Sequence, residues 1–335
     1  MHVTLEDWPQ QRETLKQRIL EILGPFPAER VELRPRVVEE VACAGYLRRK
    51  VLLQTQPGED VPAYLMIPDD IAEPRPVAFC IHPTTRGSGK DRIAGLSGIE
   101  PGTPPDASRS YAHELCLRGY VVFAPDFLTD GERVYPGYEP YHTLPFYERN
   151  PEWSAVGKNI WDAMRGIDYL QTVPEADCSR IGTIGHSFGG HHAIFIAAFD
   201  ERVSCVAANG GAITWWLDEK LGWARPLDSW YTYINKLRPY LERDDRQVPF
   251  EFHDFTALVA PRPLLSMSAE GDGHPVCEME ATARGALAVW SALGAADRAL
   301  FTCYPGPHDF PLPVRDMAYA WLHRWLGFPG REVAL

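Results

Sequence analysis

The segment from Arg180 to Ala193, RIGTIGHSFGGHHA, restricts the fold of this chain more than any other stretch. Its first half is short and rich in β-branched residues, which is typical of a buried strand, and the small apolar residues that follow favour a helix. Ser187 stands between them, with a glycine two residues before it and another two residues after it. A serine at such a sharp turn exposes its hydroxyl group, and small neighbours let strand and helix pass closely. We therefore predict that Ser187 is a nucleophile; the alternative is a turn serine that caps the helix.

Composition limits the class of protein. The chain has 335 residues, 45% of them hydrophobic, which suits one large α/β domain with insertions. Its formal net charge of −12, without long runs of like charge, argues against nucleic acid or an anionic membrane as a partner. The seven scattered cysteines form no Cys-x-x-Cys pair and indicate free thiols. With no apolar leader and no membrane-length apolar run, a cytoplasmic protein is expected.

Hydrophobic periodicity divides the chain into an N-terminal helical arm, residues 1–30, and an α/β domain, residues 31–335. Strands are predicted at 37–41, 46–53, 61–67, 77–81, 120–124, 180–185, 203–208, 264–267 and 300–304. Helices are predicted at 9–23, 107–117, 156–170, 277–293 and 314–326, and in the segment after Ser187. This alternation predicts a mostly parallel central sheet with helices on both faces. Because ligands of such sheets bind beyond the carboxyl ends of the strands, loops after other strands should hold the partners of Ser187.

An aromatic-rich insertion, at about residues 213–255, is predicted after the sixth strand. A structureless loop of that length is uncommon in a compact domain, so we expect a helical insertion over the site. Trp215 and Trp216 within it are candidate substrate contacts. Packing of the insertion onto the body explains any single aromatic residue there equally well.

His308 is the predicted base. A serine hydroxyl is a poor nucleophile until a base takes its proton, and histidine suits that task near neutral pH. His308 follows the strand at 300–304 in a loop rich in proline and glycine, from which an imidazole can reach across the strand ends toward Ser187. Other histidines lie on the Ser187 helix, pointing elsewhere, or in the terminal helix: His191, His192 and His323.

Asp272 is the predicted carboxylate that orients the base. It follows the strand at 264–267 and precedes His308 by enough residues for one helix and one strand. Glu270, in the same loop, is the main alternative. Asp126, after the strand at 120–124, is a weaker one.

Two backbone N–H groups are expected to hold the oxyanion. One belongs to Phe188, directly after the nucleophile. The other should come from the loop after the strand at 77–81, where a proline without an N–H follows His82 and leaves Thr84 or Thr85, with Thr84 preferred. His82 is expected to organise this loop, and His82 and Thr85 are also candidate substrate contacts.

Motifs for cofactors and metals are incomplete. The residues GSGK at 87–90 hint at a phosphate loop, but a Walker pattern needs glycine at position 84 and serine or threonine at position 91. No G-x-G-x-x-G opens a helix after a strand, and there is no H-E-x-x-H. We expect neither a cofactor nor a metal in the chemistry.

With these motifs the sequence resembles the α/β-hydrolase superfamily, most closely its dienelactone hydrolase and acetyl xylan esterase-like branch. The resemblance is carried by the segments at 82–85, 89–90, 118–126, 185–190, 260–265 and 307–310. The chain order Ser187, Asp272, His308 is the order of that superfamily. The resemblance implies an esterase with a Ser-His-Asp triad on these residues. Dienelactone hydrolases proper use a cysteine nucleophile, so the serine here argues against dienelactone hydrolysis.

The sequence therefore predicts a carboxylic ester hydrolase that acts on a small-molecule ester through an acyl-enzyme intermediate. One alternative is the same triad acting as an amidase or peptidase, or passing its acyl group to an acceptor other than water. Another is a catalytically silent hydrolase fold used for binding. The acyl and alcohol parts of the substrate stay open, as does the oligomeric state, a homo-oligomer included.

Overall fold

The computed structural model describes residue 4 and residues 6–69, 71–215, 222–245, 247–273 and 276–331. In chain order its strands are β1 (Arg36–Cys43), β2 (Tyr46–Gln56), β3 (Glu59–Pro68), β4 (Arg75–Ile81), β5 (Val121–Pro125), β6 (Ala176–His186), β7 (Val203–Asn209), β8 (Leu264–Gly271) and β9 (Ala299–Pro307). Its α-helices are α1 (Trp8–Leu23), α2 (Lys90–Ile93), α3 (Tyr111–Leu117), α4 (Leu144–Arg149), α5 (Ala155–Leu170), α6 (Phe188–Phe199), α7 (Arg238–Leu241), α8 (Phe252–Ala257), α9 (Val276–Ala292) and α10 (Leu312–Trp325).

One sheet contains all nine strands of the described residues, in the order β1-β2-β3-β5-β4-β6-β7-β8-β9. The first three strands form an antiparallel meander, and β3 pairs antiparallel with β5. From β5 to β9 every neighbouring pair is parallel. The prediction of a mostly parallel α/β sheet is confirmed.

Helices cover both faces of this sheet, as β4 shows most clearly. Val77, Phe79 and Ile81 are buried in one hydrophobic cluster, together with residues of α1, α5, α6 and α9. The alternate residues Ala78 and Cys80 are buried in a second cluster, with residues of α3 and α10. Because side chains alternate across a strand, continuous burial along β4 requires a core on each side of the sheet.

The direction of the strand order reverses at β4. The chain passes from β4 to β5 on one side and then returns to β6 on the other side. Such a reversal leaves a crevice at the carboxyl ends of the two neighbouring strands, where α/β sheets bind ligands. The loop that begins at His82 and the turn at Ser187 both lie at this crevice.

The insertion differs from the prediction in two respects. It follows β7 and not the sixth strand, because all seven strands predicted before residue 213 are formed in the structure. Within its described residues, 213–215, 222–245 and 247–255, helix is limited to a 3-10 turn at Asn235–Leu237, to α7 and to the start of α8. Recurring prolines, at Pro226, Pro239 and Pro249, account for the short helices, since proline removes a backbone donor and obstructs the preceding turn.

No helix in the described part of the chain is both long and apolar enough to cross a membrane.

Candidate active site

Ser187 occupies a strained turn between β6 and α6. Its φ of 57° and ψ of −120° lie in a region that residues with a side chain rarely adopt. A Cβ atom at Gly185 would collide with the backbone of Gly189, and one at Gly189 would collide with the carbonyl oxygen of Ile81. The Ser187 N–H donates to the Asn209 carbonyl oxygen at 2.8 Å, which ties the turn to the end of β7. The glycines therefore permit the close crossing, and the neighbouring strands hold the serine in it.

His308 and Asp272 are brought together by the loops that follow β9 and β8. Nδ1 of His308 lies 2.6 Å from Oδ2 of Asp272, a distance typical of a strong charge-assisted hydrogen bond. The Asp272 side chain is 8% exposed and that of His308 is 37% exposed. With Nδ1 directed at the carboxylate, Nε2 is the ring nitrogen left for a proton transfer.

Ser187, Asp272 and His308 line one cavity of about 450 Å³. Its walls include Ser187, Phe188, Asp272 and His308. A Cβ atom at Gly210 would lie 3.0 Å from Cε1 of His308 and 3.6 Å from the Ser187 backbone nitrogen, so the imidazole and the serine backbone flank the same small space. The structure thus places the predicted nucleophile, base and acid around one opening.

The loop after β4 crosses directly over the start of α6. Gly189 packs against the carbonyl oxygens of Ile81 and His82, which brings this loop beside the Phe188 N–H. That N–H lies in the first turn of a helix, where backbone donors have no intrahelical acceptor. The Thr85 N–H donates to the Tyr141 hydroxyl at 3.3 Å, so Thr84 is the better candidate for a second oxyanion donor.

Two of the four residues predicted to contact substrate are fully buried in the structure, and the prediction is wrong for both. His82 is fully buried, its Nε2 accepts from the Phe127 N–H at 3.0 Å, and its Nδ1 lies 2.8 Å from the Pro83 carbonyl oxygen. It organises the loop and does not line the cavity. Trp215 is also fully buried, with its ring 4.6 Å from that of Trp223, and belongs to the hydrophobic core. Trp216 lies outside the described residues.

Thr85 stabilises the loop after β4, which we call the oxyanion loop, through hydrogen bonds of its side chain. Its hydroxyl donates to Oδ2 of Asp130 at 2.5 Å and accepts from the Gly89 N–H at 2.8 Å. Asp130 is completely buried and also accepts hydrogen bonds from the Tyr141 hydroxyl and the Gly87 N–H. Thr85 also lies beside a second cavity. Its hydrogen bonds are sufficient to assign it a structural role in the loop, without a contact to substrate.

The alternative acids have other surroundings. Glu270 is exposed near the end of β8, just before the loop that carries Asp272. Asp126 is buried and accepts hydrogen bonds from Nζ of Lys90 at 2.7 Å and from the Glu132 N–H at 3.0 Å. It therefore stabilises the loops after β4 and β5. No group of three or more His, Cys, Asp or Glu side chains that could hold a metal ion occurs among the residues for which the structure gives positions.

Asn209, at the end of β7, connects the turn at Ser187 to the loop that carries His308. No sequence motif marks this residue. Its carbonyl oxygen accepts from Ser187, and its side-chain amide donates to the Asp309 carbonyl oxygen at 2.8 Å. The same amide nitrogen lies 3.0 Å from Nδ1 of His186, whose ring packs 4.6 Å from that of His308. Burial, with Arg109 and His308 nearby, lowers the pKa of His186 well below its usual range, so the ring under His308 is neutral.

Asp309 is held from the opposite side. It forms an ion pair with Arg109, and its carboxylate accepts from the Phe310 N–H at 2.7 Å. Although burial opposes ionisation, these hydrogen bonds lower the pKa of Asp309 below its usual range. The residue next to His308 is thus fixed through both its carbonyl group and its side chain.

We expect Asn209→Ala to lower kcat for ester hydrolysis by about 10- to 100-fold with little change in KM, because a misplaced base costs rate more than binding. It should also lower the free energy of unfolding by about 1–3 kcal/mol, since buried partners lose their hydrogen bonds. Asn150→Ala is the matched control. It loses a hydrogen bond from its side-chain amide to the Phe146 carbonyl oxygen, and it should keep kcat. Equal kcat values for the two variants would contradict the positioning role.

Sequence reasoning missed several residues of the cavity wall. They come from the insertion or from α6: His191, Trp223, Arg225, Trp230 and Tyr233. His191 was expected to point elsewhere, yet it lines the cavity with its Nδ1 3.2 Å from the Gly211 carbonyl oxygen. A histidine one helical turn after the nucleophile was the available signal, since residues at i and i+4 share a helix face.

Comparison with known proteins identifies the family. A family model described as "Glucuronyl esterase, fungi" matches residues 123–294, slightly more than half of the chain. The YtaP protein of Bacillus subtilis (strain 168) is 26% identical over 321 residues, which cover 94% of this chain and 100% of that protein. The 4-O-methyl-glucuronoyl methylesterase 1 of Wolfiporia cocos (strain MD-104) is 28% identical over 201 residues, 52% of this chain and 46% of that enzyme.

The fold is found among solved structures as well. The glucuronoyl esterase from Solibacter usitatus superposes with a TM-score of 0.71 at 21% identity, over 96% of this chain and 93% of that chain. The resemblance to α/β-hydrolases with a serine nucleophile is thereby confirmed. The chain belongs to the glucuronyl esterase family and is a carboxylic ester hydrolase.

Proposed function

We propose that the protein hydrolyses esters through an acyl-enzyme formed on Ser187, with His308 as general base and acid and Asp272 as its orienting carboxylate. The observation that carries this proposal is the 2.6 Å contact between His308 and Asp272 at the rim of the cavity that Ser187 lines. Three loops far apart in the chain converge there, at the sheet edge where α/β folds carry out their chemistry. If His308 and Asp272 were only a structural ion pair, and Ser187 only a helix cap, the three residues would not need to lie around one cavity.

In the first half of the proposed reaction, Oγ of Ser187 attacks the ester carbonyl carbon and Nε2 of His308 takes the hydroxyl proton. The carbonyl π electrons move to oxygen, and the N–H groups of Phe188 and Thr84 stabilise this oxyanion. When the intermediate collapses, the bond to the leaving alkoxy group breaks and His308 returns the proton to it. An alcohol departs, and the acyl group stays on Ser187.

In the second half a water molecule takes the place of the alcohol. His308 removes a proton from the water, whose oxygen attacks the acyl carbonyl carbon. Collapse of the second tetrahedral intermediate breaks the bond to Oγ of Ser187, His308 returns its proton to that oxygen, and the acid is released. Throughout, Asp272 holds the imidazole in the tautomer with a proton on Nδ1 and stabilises its protonated form.

For the substrate we propose an alkyl ester of glucuronic acid carried on a carbohydrate. The support is the name of the sequence relative from Wolfiporia cocos, a 4-O-methyl-glucuronoyl methylesterase. The matched stretch spans about half of that enzyme, so the identity of the substrate needs its own test.

A panel of esters tests this proposal. Methyl glucuronate, acetylated xylose and 4-nitrophenyl acetate are offered to the purified protein, and release of acid is followed by titration. We expect the highest kcat/KM for methyl glucuronate. A higher kcat/KM for acetylated xylose would move the proposal to acetyl esters, and turnover of none of the three would contradict it.

A further inference from the structure

The hydroxyl of Tyr141 and the carboxylate of Asp130 hold the oxyanion loop on both sides of Thr84. The Tyr141 hydroxyl oxygen lies 3.4 Å from the Pro83 carbonyl oxygen and accepts from the Thr85 N–H at 3.3 Å. It donates to Oδ2 of Asp130 at 2.8 Å, and the same carboxylate oxygen accepts from the Thr85 hydroxyl at 2.5 Å. One pair of side chains therefore contacts the residues before and after Thr84.

The ring of Tyr141 reaches the other half of the oxyanion site. Its centre lies 5.7 Å from that of the Phe188 ring, with the ring planes at 81°, an edge-to-face contact that stabilises aromatic pairs. In the proposed reaction Phe188 and Thr84 carry the two N–H donors. Tyr141 thus packs on the residue with one donor and bonds to the loop with the other, so its position affects the distance between them.

The backbone is strained at Tyr141 and at Thr129. Their φ angles are 68° and 66°, in the left-handed region that residues with a side chain rarely adopt, and Thr129 is also β-branched. The Tyr141 N–H donates to the Thr129 carbonyl oxygen at 2.8 Å, so the two strained residues hold each other. Strained residues persist only where surrounding contacts impose them, and they cluster at functional sites. Asp130 follows Thr129 directly, so the strain lies at or beside both residues that hold the loop.

Burial keeps the Tyr141 hydroxyl protonated. The side chains of Tyr141 and Asp130 are both buried, and the Asp130 carboxylate also accepts from the Gly87 N–H at 3.0 Å. Burial, together with the negative charge of Asp130, raises the pKa of Tyr141 well above its usual range. The hydroxyl therefore remains a donor near neutral pH, and its contribution comes from position and not from proton transfer.

From these contacts we propose that Tyr141 is a positioning residue that sets the separation of the Phe188 and Thr84 N–H groups, with Asp130 orienting its hydroxyl. This inference rests on the proposed function, which supplies the oxyanion. The two donors stabilise a charge that develops only in the transition state. Misplacing one of them therefore lowers the rate and leaves the binding of an uncharged ester almost unchanged.

Tyr141→Phe tests the assignment, because it removes the hydroxyl and keeps the ring on Phe188. The matched control is Tyr319→Phe. Tyr319 is also buried, and its hydroxyl donates to Oε2 of Glu114 at 2.7 Å in the core on the other face of the sheet. Both variants lose a buried bond from a tyrosine hydroxyl to a carboxylate. Hydrolysis of 4-nitrophenyl acetate gives kcat and KM, and thermal unfolding shows that each protein is folded.

Benzyl trifluoromethyl ketone gives a readout that a merely structural role would not move. Oγ of Ser187 adds to the ketone carbon, the carbonyl π electrons move to oxygen, and His308 takes the hydroxyl proton. The oxyanion of this adduct lies where that of the ester intermediate would lie, so the Ki of the ketone reports the alignment of the two donors. Asp130→Asn provides a second variant, because it removes the charge that orients the Tyr141 hydroxyl.

We expect Tyr141→Phe to lower kcat by about 10- to 100-fold, to change KM by less than about threefold and to raise the Ki of the ketone by about the same factor as it lowers kcat. Asp130→Asn should shift kcat and Ki in the same directions. Tyr319→Phe should keep all three values within about twofold of wild type.

Two results would overturn the positioning role alone: wild-type kcat and Ki in a folded Tyr141→Phe protein, or equal losses in Tyr141→Phe and Tyr319→Phe. A wild-type protein that neither hydrolyses the ester nor binds the ketone would overturn the proposed function, and the positioning role with it.

Discussion

Ser187→Ala is expected to lower kcat for ester hydrolysis by at least about 10⁴-fold, because alanine cannot form the acyl-enzyme and only binding and the oxyanion donors remain. Alanine retains a Cβ atom at the same strained backbone position, so the fold should persist. The measurement is steady-state hydrolysis of 4-nitrophenyl acetate, with thermal unfolding of both proteins recorded alongside.

Ser204→Ala provides the control. Ser204 lies at the start of β7, where its hydroxyl donates to the Ser179 carbonyl oxygen at 3.2 Å, at the sheet edge opposite the cavity. This variant should keep wild-type kcat. A Ser187→Ala protein with a normal melting temperature and more than a tenth of wild-type kcat would show that another group is the nucleophile.

Asp272→Asn is expected to lower kcat by about 10³- to 10⁴-fold with little change in KM. An asparagine amide can donate to Nδ1 of His308, which favours the tautomer with its proton on Nε2. In that tautomer Nε2 cannot accept the serine proton. The neutral amide also gives little stabilisation to the imidazolium that forms in the transition state. Steady-state kinetics with 4-nitrophenyl acetate measures both parameters.

The comparison with Glu270→Gln makes this prediction specific. Glu270 lies two residues earlier, near the end of β8, and is exposed, so its amide variant removes the same charge from the same neighbourhood. We expect less than a twofold loss of kcat for it, since exposed charges interact weakly with distant groups. If Glu270→Gln lost activity and Asp272→Asn kept it, the acid would be misassigned.

Local sequence signals were sufficient for the nine strands and for the placement of Ser187, Asp272 and His308 around one cavity. The steps between Gly185, Ser187 and Gly189 encode a close crossing of strand and helix that no long side chain would allow. The positions of Asp272 and His308 followed from topology, because parallel strands bring their carboxyl ends to one edge of the sheet. These inferences need only periodicity and the direction of the chain.

The insertion could not be predicted in the same way. Trp215 and Trp230 have the same residue type and lie 15 residues apart in one segment, yet the first is fully buried and the second is 40% exposed. Tertiary packing alone separates them: Trp215 lies against Trp223, while Trp230 lies against Tyr141 at a cavity wall. Asn209 was missed for a related reason, because its role depends on groups far from it in the chain.

The central claim is that Ser187 carries the acyl group, and covalent labelling tests it most directly. The wild-type protein is treated with a fluorophosphonate, digested, and its peptides are analysed by mass spectrometry. We predict one phosphonylated residue, Ser187, with loss of hydrolysis in proportion to labelling and no adduct in Ser187→Ala. An adduct on another residue, or full labelling of Ser187 with undiminished hydrolysis, would contradict the account.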